Sequence, residues 1–163
     1  MLLGLSLANF TLLHVVISLI AIVAGLIVMF GMLGPYHSGG LTGIFLLLTI
    51  LTSVTGFMFP FNGITPGIIV GVISCVLLAI ACLALYGMNV SGIWRGIYVV
   101  TALLSLYLNV FVLVTQSFLK IPPLHEIAPG NPPAGPAFAV VQGIALLFFI
   151  GMIIQVWRRY KPA

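Results

Sequence analysis

The sequence predicts an all-α integral membrane bundle that crosses the bilayer about five times. Three observations lead there. Of 163 residues, 63% are apolar and 4% are charged, whereas a soluble domain carries about 25% charged residues. The apolar residues form unbroken runs of helix length, and a span needs about 20 of them. The runs lack the period-two alternation of a barrel strand. Backbone polar groups in hydrocarbon need internal partners, so only helices remain.

The spans follow in order. The first runs over 10–33, with Asn9 or Thr11 as cap, and ends in the Gly34-Pro35-Tyr36-His37-Ser38-Gly39-Gly40 segment. The second covers 41–59 and stops at Pro60; Phe61-Asn62-Gly63-Ile64-Thr65-Pro66 reads as a tight turn. The third covers 67–86, and a loop with Gly87, Asn89, Gly92, Trp94 and Arg95 follows. The fourth covers 96–119. Lys120 to Gly135 reads as a proline-rich loop, and the fifth span runs over 136–157 from Pro136, a good first-turn residue. The first run is too long, and lacks the basic flank, for a signal peptide. Cys75 and Cys82 lie seven residues apart on one helix, about 10 Å of rise, too far for a disulfide.

Charge sets the expected orientation. Arg158, Arg159 and Lys161 place the C-terminus in the cytoplasm. Arg95 then falls inside, and Lys120 and the N-terminus fall outside. Trp94 and Trp157 form a cytoplasmic aromatic belt. The net charge of +4 comes mainly from the C-terminus and is a membrane-surface anchor; no nucleic-acid partner is expected.

An internal repeat is legible. Val16-Ile17-Ser18 and Phe30-Gly31-Met32 match Val72-Ile73-Ser74 and Tyr86-Gly87-Met88. Ser38-Gly39 and Gly43-Ile44-Phe45 match Ser91-Gly92 and Gly96-Ile97-Tyr98 at an offset three residues shorter. Either the first two helices are a parallel duplicate of the third and fourth, with a fifth helix added, or apolar sequences align here by chance.

Polar residues in lipid face the bundle. Tyr98, Thr101, Ser105, Asn109 and Gln116 share one face of the fourth helix, and His14, Ser18, Ala21 and Gly25 one face of the first. Gly67, Gly71, Cys75 and Ala79 form a small-residue stripe on the third. Thr49, Thr52 and Gly56 group on the second helix with Thr55 beside them. His14, Thr52, Thr55, Gln116 and Gln142 fall in the outer half, and Asn109 near the midplane. An outward-facing polar pocket beneath the proline-rich loop is expected from His14, Thr52, Thr55, Ser105, Asn109, Gln116 and Gln142. Interhelical packing is the competing reading of the same residues.

Catalytic constellations are absent from the sequence. Glu126 is the single acid, and neither Ser18 nor Ser105 has a carboxylate to complete a triad. No zinc or nucleotide motif occurs. His14, His125 and Glu126 have the chemistry of a zinc or iron set, but adjacent loop residues are ordinarily solvated, and no metal is expected. A haem needs two axial ligands, and His14 is alone among the spans unless a second copy supplies its own.

Tyr107-Leu108-Asn109-Val110-Phe111-Val112-Leu113-Val114-Thr115-Gln116-Ser117-Phe118-Leu119-Lys120, with Pro122-Pro123-Leu124 and Thr55-Gly56-Phe57-Met58-Phe59-Pro60, resembles a group of small uncharacterised bacterial multi-pass membrane proteins. The resemblance implies the bacterial inner membrane and no activity. Three functions follow as expectations: a non-enzymatic accessory or scaffold subunit or homo-oligomer, a small neutral-solute channel or ligand-binding protein, and a haem- or quinone-binding redox subunit using His14. The expected partners are the bilayer, further copies of the chain or other membrane subunits.

Overall fold

A computed structural model describes residues 4–35, 38–60 and 63–162. Tyr36, His37, Phe61 and Asn62, which the sequence assigns to turns, lie outside the described residues. The helices are α1 (Leu7–Gly31), α2 (Gly39–Phe57), α3 (Pro66–Cys82), α4 (Ile93–Lys120), α5 (Pro122–Ile127) and α6 (Pro136–Arg159). A π-helical turn, Leu83–Gly87, continues α3. Five of these segments are long and apolar enough to cross a membrane, with α3 and its π turn counting as one. The chain is an all-α multi-pass membrane bundle.

Local chemistry sets the boundaries. Ser6 caps α1, its hydroxyl accepting from the Asn9 amide at 3.2 Å, so the helix starts earlier than a cap at Asn9 or Thr11 would allow. Ser38 and Thr65 cap α2 and α3 in the same way. Trp94 and Arg95 are not in a loop; they form the first turn of α4. The segment after α4 is not all loop either, because Pro122 and Pro123 open the short α5. Proline's fixed φ suits a first helical turn, where its missing N–H is no loss.

The helices α1 to α4 form a ring in which each packs on the next, and α4 closes more sparingly on α1. Helix α6 packs on α4. The core holds Phe45, Leu78, Tyr98, Leu103, Leu106 and Val156. Within the ring Gly25 marks the tightest approach: a Cβ there would lie 2.6 Å from Leu106 Cδ1 and 2.7 Å from Phe45 Cε2. Helix α6 is tied to α4 at both ends. Arg95 Nη1 donates to the carbonyls of Trp157 and Tyr160 at 2.8 and 2.9 Å, and the Trp157 ring fills the space beside Gly96. Near the other end Phe118 and Phe138 stack edge to face at 5.5 Å.

Burial follows the repeat. Phe45, Leu46, Thr49, Thr52 and Ser53 of α2 are buried, and so are Tyr98, Val99, Ala102, Ser105 and Leu106, each 53 positions on. Ile22, Gly25 and Val28 of α1 match Leu78, Ala81 and Ala84 at 56 positions. The ring thus puts α1 opposite α3 and α2 opposite α4, as two parallel copies of one hairpin would.

Candidate functional site

Hydroxyls inside a membrane helix have a partner at hand, the carbonyl one turn back. Most of the buried ones here use it. Thr49 donates to Phe45 O at 2.7 Å, Ser53 to Thr49 O at 3.1 Å and Thr52 to Leu48 O at 2.8 Å. On α4, Thr101 donates to Ile97 O at 2.7 Å and Ser105 to Thr101 O at 2.8 Å. These groups are small, self-satisfied packing surfaces, so Ser105, expected in the pocket, sits sealed in the core.

The side chains of Gln142, His14 and Asn109 cannot satisfy themselves this way. Gln142 of α6 reaches α4, where Nε2 donates to Phe111 O at 3.0 Å and to Thr115 Oγ1 at 3.2 Å. It therefore ties α6 to the bundle and is not among the lining residues of the α1–α4 cleft. His14 reaches α2, its Nδ1 2.7 Å from Thr55 Oγ1. Asn109 Nδ2 is buried and has no hydrogen-bond partner among the described residues.

His14 and Asn109 line one cleft of about 690 Å³. Residues Leu7, Thr11, His14, Val15, Ser18 and Ile22 form its α1 wall; Asn109, Val112, Leu113, Gln116, Ser117 and Lys120 form its α4 wall. Thr52, Ser53 and Gly56 of α2 and Gly67, Ile68, Val70, Gly71 and Ser74 of α3 complete it. On α4 the cleft runs from Lys120 to Asn109, about 16 Å of helix, and so reaches the middle of the span. It ends where Gly25, Phe45 and Leu106 close the ring. Of the expected pocket residues, His14, Thr52, Asn109 and Gln116 come together here. Thr55 stands behind His14 and holds it.

The lining repeats as the fold does. Thr11, His14, Val15 and Ser18 correspond, 56 positions on, to Gly67, Val70, Gly71 and Ser74, and all eight line the cleft. The positions correspond, but the chemistry does not. His14 faces a wall that carries Val70 at its own counterpart, and Asn109 answers to Gly56. The α1 and α4 side carries the imidazole and the amides, and the α2 and α3 side carries only hydroxyls among small and apolar residues.

The hydrogen-bond network assigns the tautomer of His14. Thr55 Oγ1 has one proton and also lies 2.7 Å from Leu51 O. That proton serves the backbone carbonyl, so Thr55 accepts from His14 Nδ1–H. Nε2 of the neutral ring is then a bare acceptor. Phe59 packs edge-on against the imidazole at 5.2 Å, and Gly56 lies beside it, where a Cβ would stand in ordinary contact at 3.7 Å from Cε1.

The sequence missed the contributions of Thr11, Ser53, Ser74 and Lys120. Ser74 carries a legible signal, since it repeats Ser18. A second cavity, of about 140 Å³, lies between Met32, Thr42, Tyr98 and Tyr160 at the Arg95 end. Among the described residues no three His, Cys, Asp or Glu side chains gather to hold a metal ion. No family model, curated protein or solved structure matches the chain.

Proposed function

We propose that this is a non-enzymatic multi-pass membrane protein that binds a small uncharged ligand in the cleft between α1 and α4. The observation that carries this reading is the cleft itself, about 690 Å³ of space between four helices with Asn109 at its inner end and the His14 imidazole on its wall. The volume falls within the range of about 300–1,000 Å³ of ligand sites. Above Asn109 the lining carries one cation, Lys120 at the mouth, and no acid. A charged ligand would lose its hydration with no partner of opposite sign at depth.

A scaffold or homo-oligomer would use a small-residue face free to meet another chain. Gly71 of the α3 stripe is already used inside the chain, because the Phe57 ring lies 2.8 Å from where its Cβ would be. Arg95, Arg158, Arg159 and Lys161 stand at the opposite end from the cleft mouth, which supports a mouth on the outer face of a bacterial inner membrane.

Mass spectrometry of small molecules retained through purification in mild detergent tests the proposal. Wild type is expected to retain a hydrophobic neutral compound that Ser18→Phe, which fills the cleft, releases. Equal retention by a folded Ser18→Phe protein sinks the reading. An absorbance spectrum of the same sample asks the haem question: a Soret band would make the neutral-ligand reading wrong.

A further inference from the structure

Most hydroxyls of the cleft wall have committed their protons. Thr11 donates to Leu7 O, Ser18 to Val15 O, Thr52 to Leu48 O and Ser117 to Leu113 O, each at 2.8 Å, and Ser53 donates to Thr49 O at 3.1 Å. All five residues line the cleft. A hydroxyl has one proton and two lone pairs, so these groups can offer a ligand only acceptor capacity.

The unpartnered groups point the same way. Asn109 Nδ2 and Gln142 Oε1 are enclosed as well as unpartnered among the described residues, so no ligand reaches them. His14 Nε2, Asn109 Oδ1 and Ser74 Oγ also have no hydrogen-bond partner there, but they are not enclosed, and their residues line the cleft. The first two can only accept. Ser74 is 3% exposed, and unlike its repeat counterpart Ser18 it leaves its proton unused. It is the side-chain donor left at depth among the described lining residues; Thr65, Gln116 and Lys120 supply donors nearer the mouth.

A ligand that only accepts, such as a ketone or an ether, would set its lone pairs against those of the wall. A cation would donate, but with no acid in the lining to balance its charge. A neutral O–H group avoids both problems, and its own lone pairs suit the Ser74 proton. We propose, resting on the ligand-binding reading above, that the cleft takes an uncharged amphiphile with a hydroxyl head. The head donates its proton to His14 Nε2, and the apolar body packs on Ile22, Ile68, Val70, Val112 and Leu113. Two sources carry this chemistry, a phenol with an alkyl tail and an aliphatic alcohol.

The test uses the full chain in nanodiscs and two pairs of probes: 4-nonylphenol with 4-nonylanisole, and 1-dodecanol with its methyl ether. Each ether keeps the bulk and the oxygen of its alcohol and lacks the proton. Binding is read by equilibrium dialysis against empty nanodiscs. The imidazole is read by ¹⁵N NMR of untagged, histidine-labelled protein carrying His37→Gln and His125→Gln, which leaves His14 as its single imidazole. At least one hydroxyl probe is expected to bind about tenfold tighter than its ether, as one net hydrogen bond allows. Its binding should move the Nε2 resonance upfield, and His14→Phe should bring alcohol and ether to equal affinity. The pair that shows the larger difference identifies the source. Ethers that bind as tightly as their alcohols, or an Nε2 resonance unmoved by bound alcohol, overturn the hydroxyl proposal while the cleft reading survives. If no probe binds, the native compound that Ser18→Phe releases decides: one with an O–H upholds the proposal, and one without it overturns it. If no probe binds and Ser18→Phe retains whatever wild type retains, both readings fall. The affinity ratio and the resonance are read with His14 in place, so the proposal stays falsifiable even if His14→Phe does not fold.

Discussion

Gly25 and Gly56 stand at the two ends of the same ring, and their surroundings are opposite. Around Gly25 the space a Cβ would need is taken by Leu106 and Phe45. Around Gly56 the nearest atom beyond its own helix is His14 Cε1, at 3.7 Å from the Cβ position, and the rest is cleft. Both glycines read alike in sequence, as small residues on an inward face. One lets helices touch; the other borders open space. The difference lies in what the facing helix offers. Opposite Gly25 come large apolar side chains in dense packing. At the other end α1 and α4 present Thr11, Ser18, Asn109 and Ser117, which are short and leave a gap between the two helices.

This contrast makes the two ends respond with opposite signs. Gly25→Leu should be the most damaging change. Its neighbours are fully buried and have no space to yield, so the loss should be about 3 kcal/mol, read as an early transition in a thermal-shift assay in detergent. A normal melting temperature would show that the closed end is looser than described. Asn109→Leu should stabilise the ligand-free protein by about 1 kcal/mol, because it removes an unpaired buried amide. A destabilised Asn109→Leu protein would mean that the amide has a structural partner and that the two ends are less distinct.

Changes outside the ring should be milder. Arg95→Ala removes both hydrogen bonds that hold the α6 carbonyls. It should cost about 1 kcal/mol, given partial exposure, with faster amide exchange confined to the last turn of α6. Exchange spreading into α1 or α2 would show that α6 is an integral part of the ring. Gln142→Leu should be the smallest change, about 0.6 kcal/mol, a typical interhelical hydrogen bond in a membrane. The Gln142 Oε1 atom is itself unpaired, which offsets part of the loss. A chemical-denaturant titration in mixed micelles compares the two variants directly.

Much of the site was legible in advance. His14 and Asn109 are costly residues on inward faces, and the repeat pairs Ser18 with Ser74. Gln142 and Ser105 were misplaced for separate reasons. Helical periodicity shows which face Gln142 is on, but not that α6 packs outside the ring against α4. Ser105 lies on the face with Asn109, yet one turn of helix separates a sealed core position from an open cleft.

By itself the sequence determined the membrane environment, the five spans and the faces that turn inward. Composition, run length and the 3.6-residue period are local properties, and hydrocarbon allows few alternatives to a helix. The tertiary structure decided which inward polar groups are idle. A serine or threonine hydroxyl can find its partner on its own helix, as Thr49 and Ser105 do. An imidazole or an amide has to find its partner elsewhere. Whether it does depends on what the neighbouring helix offers. His14 meets Thr55; the Asn109 N–H₂ group meets no partner among the described residues.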